Sequence, residues 1–226
     1  MKHIDLADLM KDTAYLNTEV TVCGWVRTSR DSKNMAFIEL NDGTALKHMQ
    51  IVIDKAVIDS APFMKLGSSL KVTGTLVPSA VKQGGVEINA AQIELLGECP
   101  PEYPLQKKRH TLEYLRTMPH LRVRTNTFNA VWRVRSVLAA ALHEFFQKNN
   151  YVYINTPLIT GSDCEGAGEM FQVTTMDLKN IPLTEDGKVD FSKDFFGKPT
   201  NLTVSGQLNG ETFAMAFRNI YTFGPT

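Results

Sequence analysis

No apolar run in the 226 residues is long enough to span a bilayer. The start, Met1-Lys2-His3-Ile4-Asp5, lacks the apolar segment of a secretory signal. Cysteine is scarce: Cys23, Cys99 and Cys164 stand far apart, which excludes a metal-type spacing, and their odd number argues against a disulfide framework. Each reads as a buried or incidental thiol. There is no internal repeat, and the formal net charge is zero, so the whole chain is no nucleic-acid polycation. These absences describe a soluble, cytosolic chain. What is present is 43% hydrophobic residues, enough for real cores in one large or two small domains.

Five strand-like runs occupy 20–27, 36–40, 46–53, 69–77 and 86–95. Asn41-Asp42-Gly43-Thr44 is a hairpin turn signal between the second and third. The stretch 56–66 predicts a short, helical connection after the third run. Five strands with a helical link there match an OB-fold, a partly open Greek-key barrel that binds oligonucleotides. Residues 97–104 carry three prolines and mark a linker. The reading is therefore a barrel over 1–100, a connector over 101–125 and a second domain over 126–226.

Alternation along the runs separates two faces. Val20, Val22 and Val26 share one with Gly24, Ile38 pairs with Leu40, and Met49, Ile51 and Ile53 form a third apolar set. Phe37 then falls on the opposite face beside Glu39, and Gln50 turns outward with His48. Glu87 in Val86-Glu87-Ile88 turns outward as well. An outward ring flanked by an amide and a carboxylate suits single-stranded nucleic acid, the ring stacking a base and the polar groups reading its edge. Alternation alone leaves a second reading open, that Phe37 is a singly exposed apolar residue.

The connector is basic. Over 106–135, Lys107, Lys108, Arg109, Arg116, Arg122, Arg124, Arg133 and Arg135 face the single acid Glu113. That is a local patch able to follow phosphates, with a solvated helix face or ion pairs to the acids of 177–194 as the alternative. From residue 126 the period changes to 3.6: Phe128, Val131, Trp132, Val134, Leu138, Ala141, Leu142, Phe145 and Phe146 predict a long helix, with Asn149-Asn150 as its C-cap. Strand character follows at 151–154, 202–204 and 219–223, and the polar stretch 177–200 reads as a surface insertion.

A long helix followed by a strand ending at Pro157 resembles motif 1 of the class II aminoacyl-tRNA synthetases. The order of further segments strengthens the likeness: Val22-Cys23-Gly24-Trp25-Val26-Arg27, the glycine-rich 161–171, Thr203-Val204-Ser205-Gly206-Gln207-Leu208, and Tyr221-Thr222-Phe223-Gly224-Pro225-Thr226. Together they resemble the aspartyl/asparaginyl subgroup, and within it the bacterial asparaginyl-tRNA synthetases, over essentially the whole chain. The resemblance implies an OB-fold anticodon-binding β-barrel followed by an incomplete α+β catalytic domain with an antiparallel sheet.

The resemblance also assigns roles. Phe37, Gln50 and Glu87 match the anticodon readers, with the ring on the central uridine. Arg27 and Arg30 would lie near the anticodon-loop backbone. Glu165, in a loop that closes over the amino acid, would face the substrate ammonium, since a buried cation needs a paired anion. Ser205 and Gln207 would line the amino-acid pocket. Aspartyl relatives carry a lysine three residues after the pocket glutamine. Here that position is Gly210, followed by Glu211. An acid there repels aspartate and accepts from an amide NH2, which favours asparagine; the alternative is that Glu211 merely starts a helix.

The implied reaction is ATP-dependent activation of asparagine and its transfer to tRNA(Asn), with Mg2+ and arginines stabilising charge, in a cytoplasmic homodimer. The family's motif 2 arginine would follow Thr226, Arg218 does not replace it, and motif 3 is absent. The expectation is therefore an amino-terminal portion that neither activates asparagine nor binds ATP strongly alone, and whose part after residue 126 folds poorly by itself. No catalytic or metal-binding residue is assigned within it. The alternatives are a tRNA-binding module without chemistry and an aspartyl enzyme that charges both tRNAs.

Overall fold

In the computed structural model, residues 3–80, 84–163, 166 and 169–224 are described. The chain divides into two compact units, Met1–Arg133 and Val134–Thr226, and the division falls inside a helix.

The first unit is built on a closed barrel. Its strands are β1 (Glu19–Asp31), β2 (Met35–Asn41), β3 (Met49–Asp54), β4 (Ser69–Pro78) and β5 (Val86–Gly97). They close in the order β1-β2-β3-β5-β4, with β4 returning to β1. Every pair is antiparallel except β3 with β5. The inward set is the one alternation predicts: Val20, Val22, Val26, Ile38, Leu40, Met49, Ile51 and Ile53, joined by Ala36, Leu70, Val72, Leu76 and Ile88. Burying these aliphatic side chains is the main stabilising term. Closure brings β4 and β5 so close at Gly74 that a Cβ there would lie 2.2 Å from the Asn89 carbonyl oxygen.

A short helix, α1 (Leu6–Leu9), plugs the barrel with Leu6 and Leu9. The β2–β3 turn fixes it: Leu6 N–H donates to Asp42 Oδ2 at 2.7 Å and Ala7 N–H to Thr44 Oγ1 at 3.0 Å, which satisfies amides that have no intrahelical partner. The expected helix over 56–66 is only a single 3-10 turn, Ala61–Phe63, because Pro62 and Gly67 leave no length for an α-helix. The third run begins at Met49 rather than residue 46, since 44–48 are spent on the turn. The connector holds two short helices, α2 (Leu112–Arg116) and α3 (Pro119–Arg122), before α4 (Asn126–Lys148).

In the second unit, α4 ends at Lys148, Asn150 adopts φ 62° just beyond it as a left-handed cap, and Tyr151 N–H donates back to the Phe146 carbonyl at 3.0 Å. The chain then forms β6 (Val152–Tyr153), β7 (Ile159–Thr160), β8 (Gln172–Val173), β9 (Thr200–Leu202), α5 (Gln207–Phe217) and β10 (Ile220–Tyr221). The strands β7-β9-β8 are antiparallel, as expected, but β6 and β10 pair in parallel. These are two separate sheets, one antiparallel and one parallel, since α5 carries the chain back to enter β10 in the direction of β6. An aromatic cluster holds α4 to this pair: the Tyr221 ring stacks on Phe146 at 4.6 Å, and its hydroxyl hydrogen-bonds His143 Nδ1 at 2.8 Å.

Candidate functional site

The outer face of the barrel is organised by register. Side chains paired across strands share a face, so Arg30, Phe37, Val52 and Asn89 form one row. Thr28, Glu39, Gln50 and Glu87 form the next. The ring of Phe37 is half-buried on this face and the Arg30 guanidinium lies 4.7 Å from its centroid.

Gln50 and Glu87 meet side by side on the parallel seam. Gln50 Nε2 donates to Glu87 Oε2 at 3.0 Å, and Ser79 Oγ donates to the same oxygen at 2.9 Å. An ionised carboxylate only accepts, so it fixes the amide of Gln50 with its NH2 inward and its carbonyl oxygen free for a ligand. Glu87 is on the outer face yet only 8% exposed, because Gln50 and Ser79 cover it. In the same row, Thr28 Oγ1 donates to Glu39 Oε2 at 3.0 Å.

Arg27 and Arg30 do not lie together. The β1–β2 register shifts between Val26 and Thr28, leaving Arg27 as the extra residue of a bulge. Beyond it the parity of β1 reverses: Val26 is buried, but Thr28 and Arg30 face outward. Arg27 instead donates to the backbone carbonyl of Arg124 in the connector. Burial pulls its guanidinium below the ordinary value, opposed by Tyr103 and reinforced by Arg124. Sequence reasoning missed Ser79 and Asn89. Only the parallel pairing of β5 with β3 places Asn89 in the Phe37 row, a non-local contact without a local signal.

In the second unit, α5 starts just after Gly206, where a Cβ would come within 2.7 Å of Thr156 Oγ1. Ser205 Oγ accepts the Gln207 N–H at 3.1 Å and so caps the helix start. One turn on, Gln207 Nε2 donates to Glu211 Oε1 at 3.1 Å. Glu211 therefore sits in the second turn, not at the start of the helix. Gly210 is buried, with room for a Cβ only 3.3 Å from Ile220 Cδ1. Glu165 and Cys164 lie outside the described residues.

A model of the OB-fold nucleic acid binding domain matches residues 20–96, the barrel just described. A second, for the class II tRNA synthetases (D, K and N), matches 111–226, more than half of the chain. The chain belongs to the class II tRNA synthetases of the D, K and N group.

Curated relatives of this synthetase chain include the asparagine–tRNA ligase of Clostridium kluyveri, 58% identical over 229 residues that cover all of this chain and 50% of the relative. The asparagine–tRNA ligase of Clostridium botulinum (strain Langeland) is 58% identical over 94% of this chain and 46% of its own length. The chain spans about half the length of the curated relatives it matches. The fold is that of asparaginyl-tRNA synthetase from Pyrococcus horikoshii complexed with asparaginyl-adenylate, at TM-score 0.80 and 20% identity, covering all of this chain and 48% of that one. The Entamoeba histolytica asparaginyl-tRNA synthetase, also in complex with asparaginyl-adenylate, aligns at TM-score 0.68 and 21% identity over 89% of this chain and 43% of its own.

Proposed function

We propose that this chain supplies the anticodon-reading barrel and the amino-acid-recognising part of an asparagine–tRNA ligase. The observation that carries the reading is the Phe37–Gln50–Glu87 arrangement on the outer face of a nucleic-acid-binding barrel. The Phe37 ring stacks the central anticodon uridine of tRNA(Asn). The free carbonyl oxygen of Gln50, locked by Glu87, accepts the N–H of that base, and Arg30 sits near the loop phosphates.

On the second unit, Ser205 and Gln207 bound the asparagine pocket. The Gln207–Glu211 pair leaves the second carboxylate oxygen of Glu211 for the side-chain NH2 of asparagine, and the same charge repels aspartate. Glu165 pairs with the substrate ammonium. In the whole ligase the asparagine carboxylate attacks the α-phosphate of ATP, forming asparaginyl-adenylate and releasing pyrophosphate. A terminal ribose hydroxyl of the tRNA then takes the acyl group and AMP leaves. Mg2+ belongs to that ligase, and no group of three or more His, Cys, Asp or Glu side chains among the described residues is arranged to hold it. The cytoplasm is the place of the reaction. The apolar side chains that α4 leaves exposed, Val131, Val134, Val137, Leu138, Leu142 and Phe145, face the second subunit of a homodimer.

The test is aminoacylation of tRNA(Asn) transcripts by the whole ligase carrying this sequence. Asparagine is charged, aspartate is not, and Phe37→Ala raises KM for tRNA while leaving ATP–pyrophosphate exchange intact. Equal charging of both amino acids would overturn the assignment.

A further inference from the structure

The barrel and the connector of the first unit enclose a cleft that anticodon reading leaves unused. It measures about 680 Å3, within the range of sites that take small ligands. Its walls are the outer side of β1 at Trp25 and Arg27 and the connector at Tyr103, Lys107, Lys108 and Arg124. Two features set it apart from an ordinary groove.

The first is charge. Arg27, Lys107, Lys108 and Arg124 line the cleft, and none of its lining residues is an aspartate or a glutamate. The Arg27 guanidinium is satisfied by a neutral group, the Arg124 carbonyl, and the Arg124 guanidinium lies 5.9 Å from the Tyr103 ring centroid. Two cations thus share a concave space with neutral partners. Such an arrangement favours an incoming anion, and the guanidinium fork fits phosphate oxygens.

The second is an uncovered ring. Trp25 is 52% exposed, on a strand whose inward residues are fully packed, with Leu46 beside it in the cleft. An exposed indole in a cleft that two guanidiniums also line offers a stacking platform for a planar base.

We propose that this cleft binds a phosphorylated nucleoside, with the base against Trp25 and the phosphate between Arg27 and Arg124. The bulge at Arg27 is what makes the site, because it turns that arginine to the connector while Arg30 goes to the Phe37 face. The ligand chemistry has two sources, a free mononucleotide or one nucleotide of a bound RNA, and the site stands apart from the anticodon reading.

Two measurements on the 226-residue chain test it. Equilibrium dialysis with labelled UMP is expected to give saturable binding that weakens about tenfold or more in Arg124→Ala and in Trp25→Ala. Arg124→Lys keeps a charge and should bind better than Arg124→Ala, which separates lost binding from lost folding. The component of UMP binding that Arg124→Ala removes should persist in Phe37→Ala, whatever the Phe37 face itself contributes. Ultraviolet cross-linking to a tRNA(Asn) transcript, mapped by peptide mass, covers the second source. A cross-link in the Trp25 peptide that vanishes in Arg124→Ala but persists in Phe37→Ala, without UMP binding, assigns the ligand to RNA. The absence of both UMP binding and a Trp25 cross-link would overturn the proposal, whatever Phe37→Ala does to tRNA affinity.

Discussion

The side-chain amide of Gln50 donates to Glu87 Oε2 at 3.0 Å across the parallel β3–β5 seam of the barrel. That contact decides which end of the amide a base would meet. Glu87→Gln removes the obligate acceptor and lets the Gln50 amide turn either way. The expected result is an approximately tenfold or greater loss of discrimination between tRNA(Asn) transcripts with uridine and with cytidine at the central anticodon position, since a good base-edge contact is worth about 1–3 kcal/mol. Ser79→Ala, which takes one of the two donors from Glu87, should give a smaller loss in the same direction. Filter binding against both transcripts reads the effect.

Phe37→Ala should cost about 1–3 kcal/mol of tRNA binding, the usual contribution of one stacked base. The ring is on the outer face and absent from the aliphatic core, so the urea midpoint of the chain should barely move. A large fall in that midpoint would mean that the ring holds the barrel rather than a ligand.

Gly74→Ala should damage the barrel itself. The new methyl would lie 2.2 Å from the Asn89 backbone oxygen, and backbone cannot yield as a side chain end can. Forcing β4 from β5 is expected to lower stability by about 1–3 kcal/mol, visible in urea denaturation.

Asp194 supplies a pH-dependent tie in the 177–200 segment. The Thr174 hydroxyl, the backbone N–H groups of Thr175 and Phe195 and the Thr175 hydroxyl hold its carboxylate far below the ordinary value, against the opposing effect of burial. A depressed folded value means stabilisation that is complete above the unfolded carboxylate range, near 4, and that is lost as pH falls below it. The difference between the parent and Asp194→Asn in hydrogen exchange at the Thr175 amide should therefore be constant from about pH 7 to 5 and shrink below about pH 4. A difference that grows on acidification would refute this.

Much of the barrel was legible because its strands are half-buried, so that Ile38-Glu39-Leu40 and Met49-Gln50-Ile51 carry a two-residue period into the packing. The helix over 126–148 was equally legible from its apolar spacing, and Asn150 from its tolerance of a left-handed backbone. Other features left no local trace. The bulge at Arg27 adds one residue between two ordinary stretches of strand, and alternation extended from Val26 would bury Arg30. The parallel pairing that joins Gln50 to Glu87 depends on a partner 37 residues away. Strands of two residues, such as β6 and β10, are too short to show a period, and their parallel direction is set by α5.

The bulge in β1 acts on parity. Counting inward from either end of the strand gives opposite faces for the same position, and the single extra residue absorbs the mismatch. One continuous strand can therefore hand Arg27 to the connector and Arg30 to the Phe37 row, two surfaces that a regular strand could not supply from residues three apart without misplacing Val26 or Ile38. Deleting residue 27 would remove the cation and the bulge together: Val26 would run straight on to Thr28, already opposite Glu39, so Thr28 and Arg30 would keep the Phe37 face and only the connector would lose its arginine.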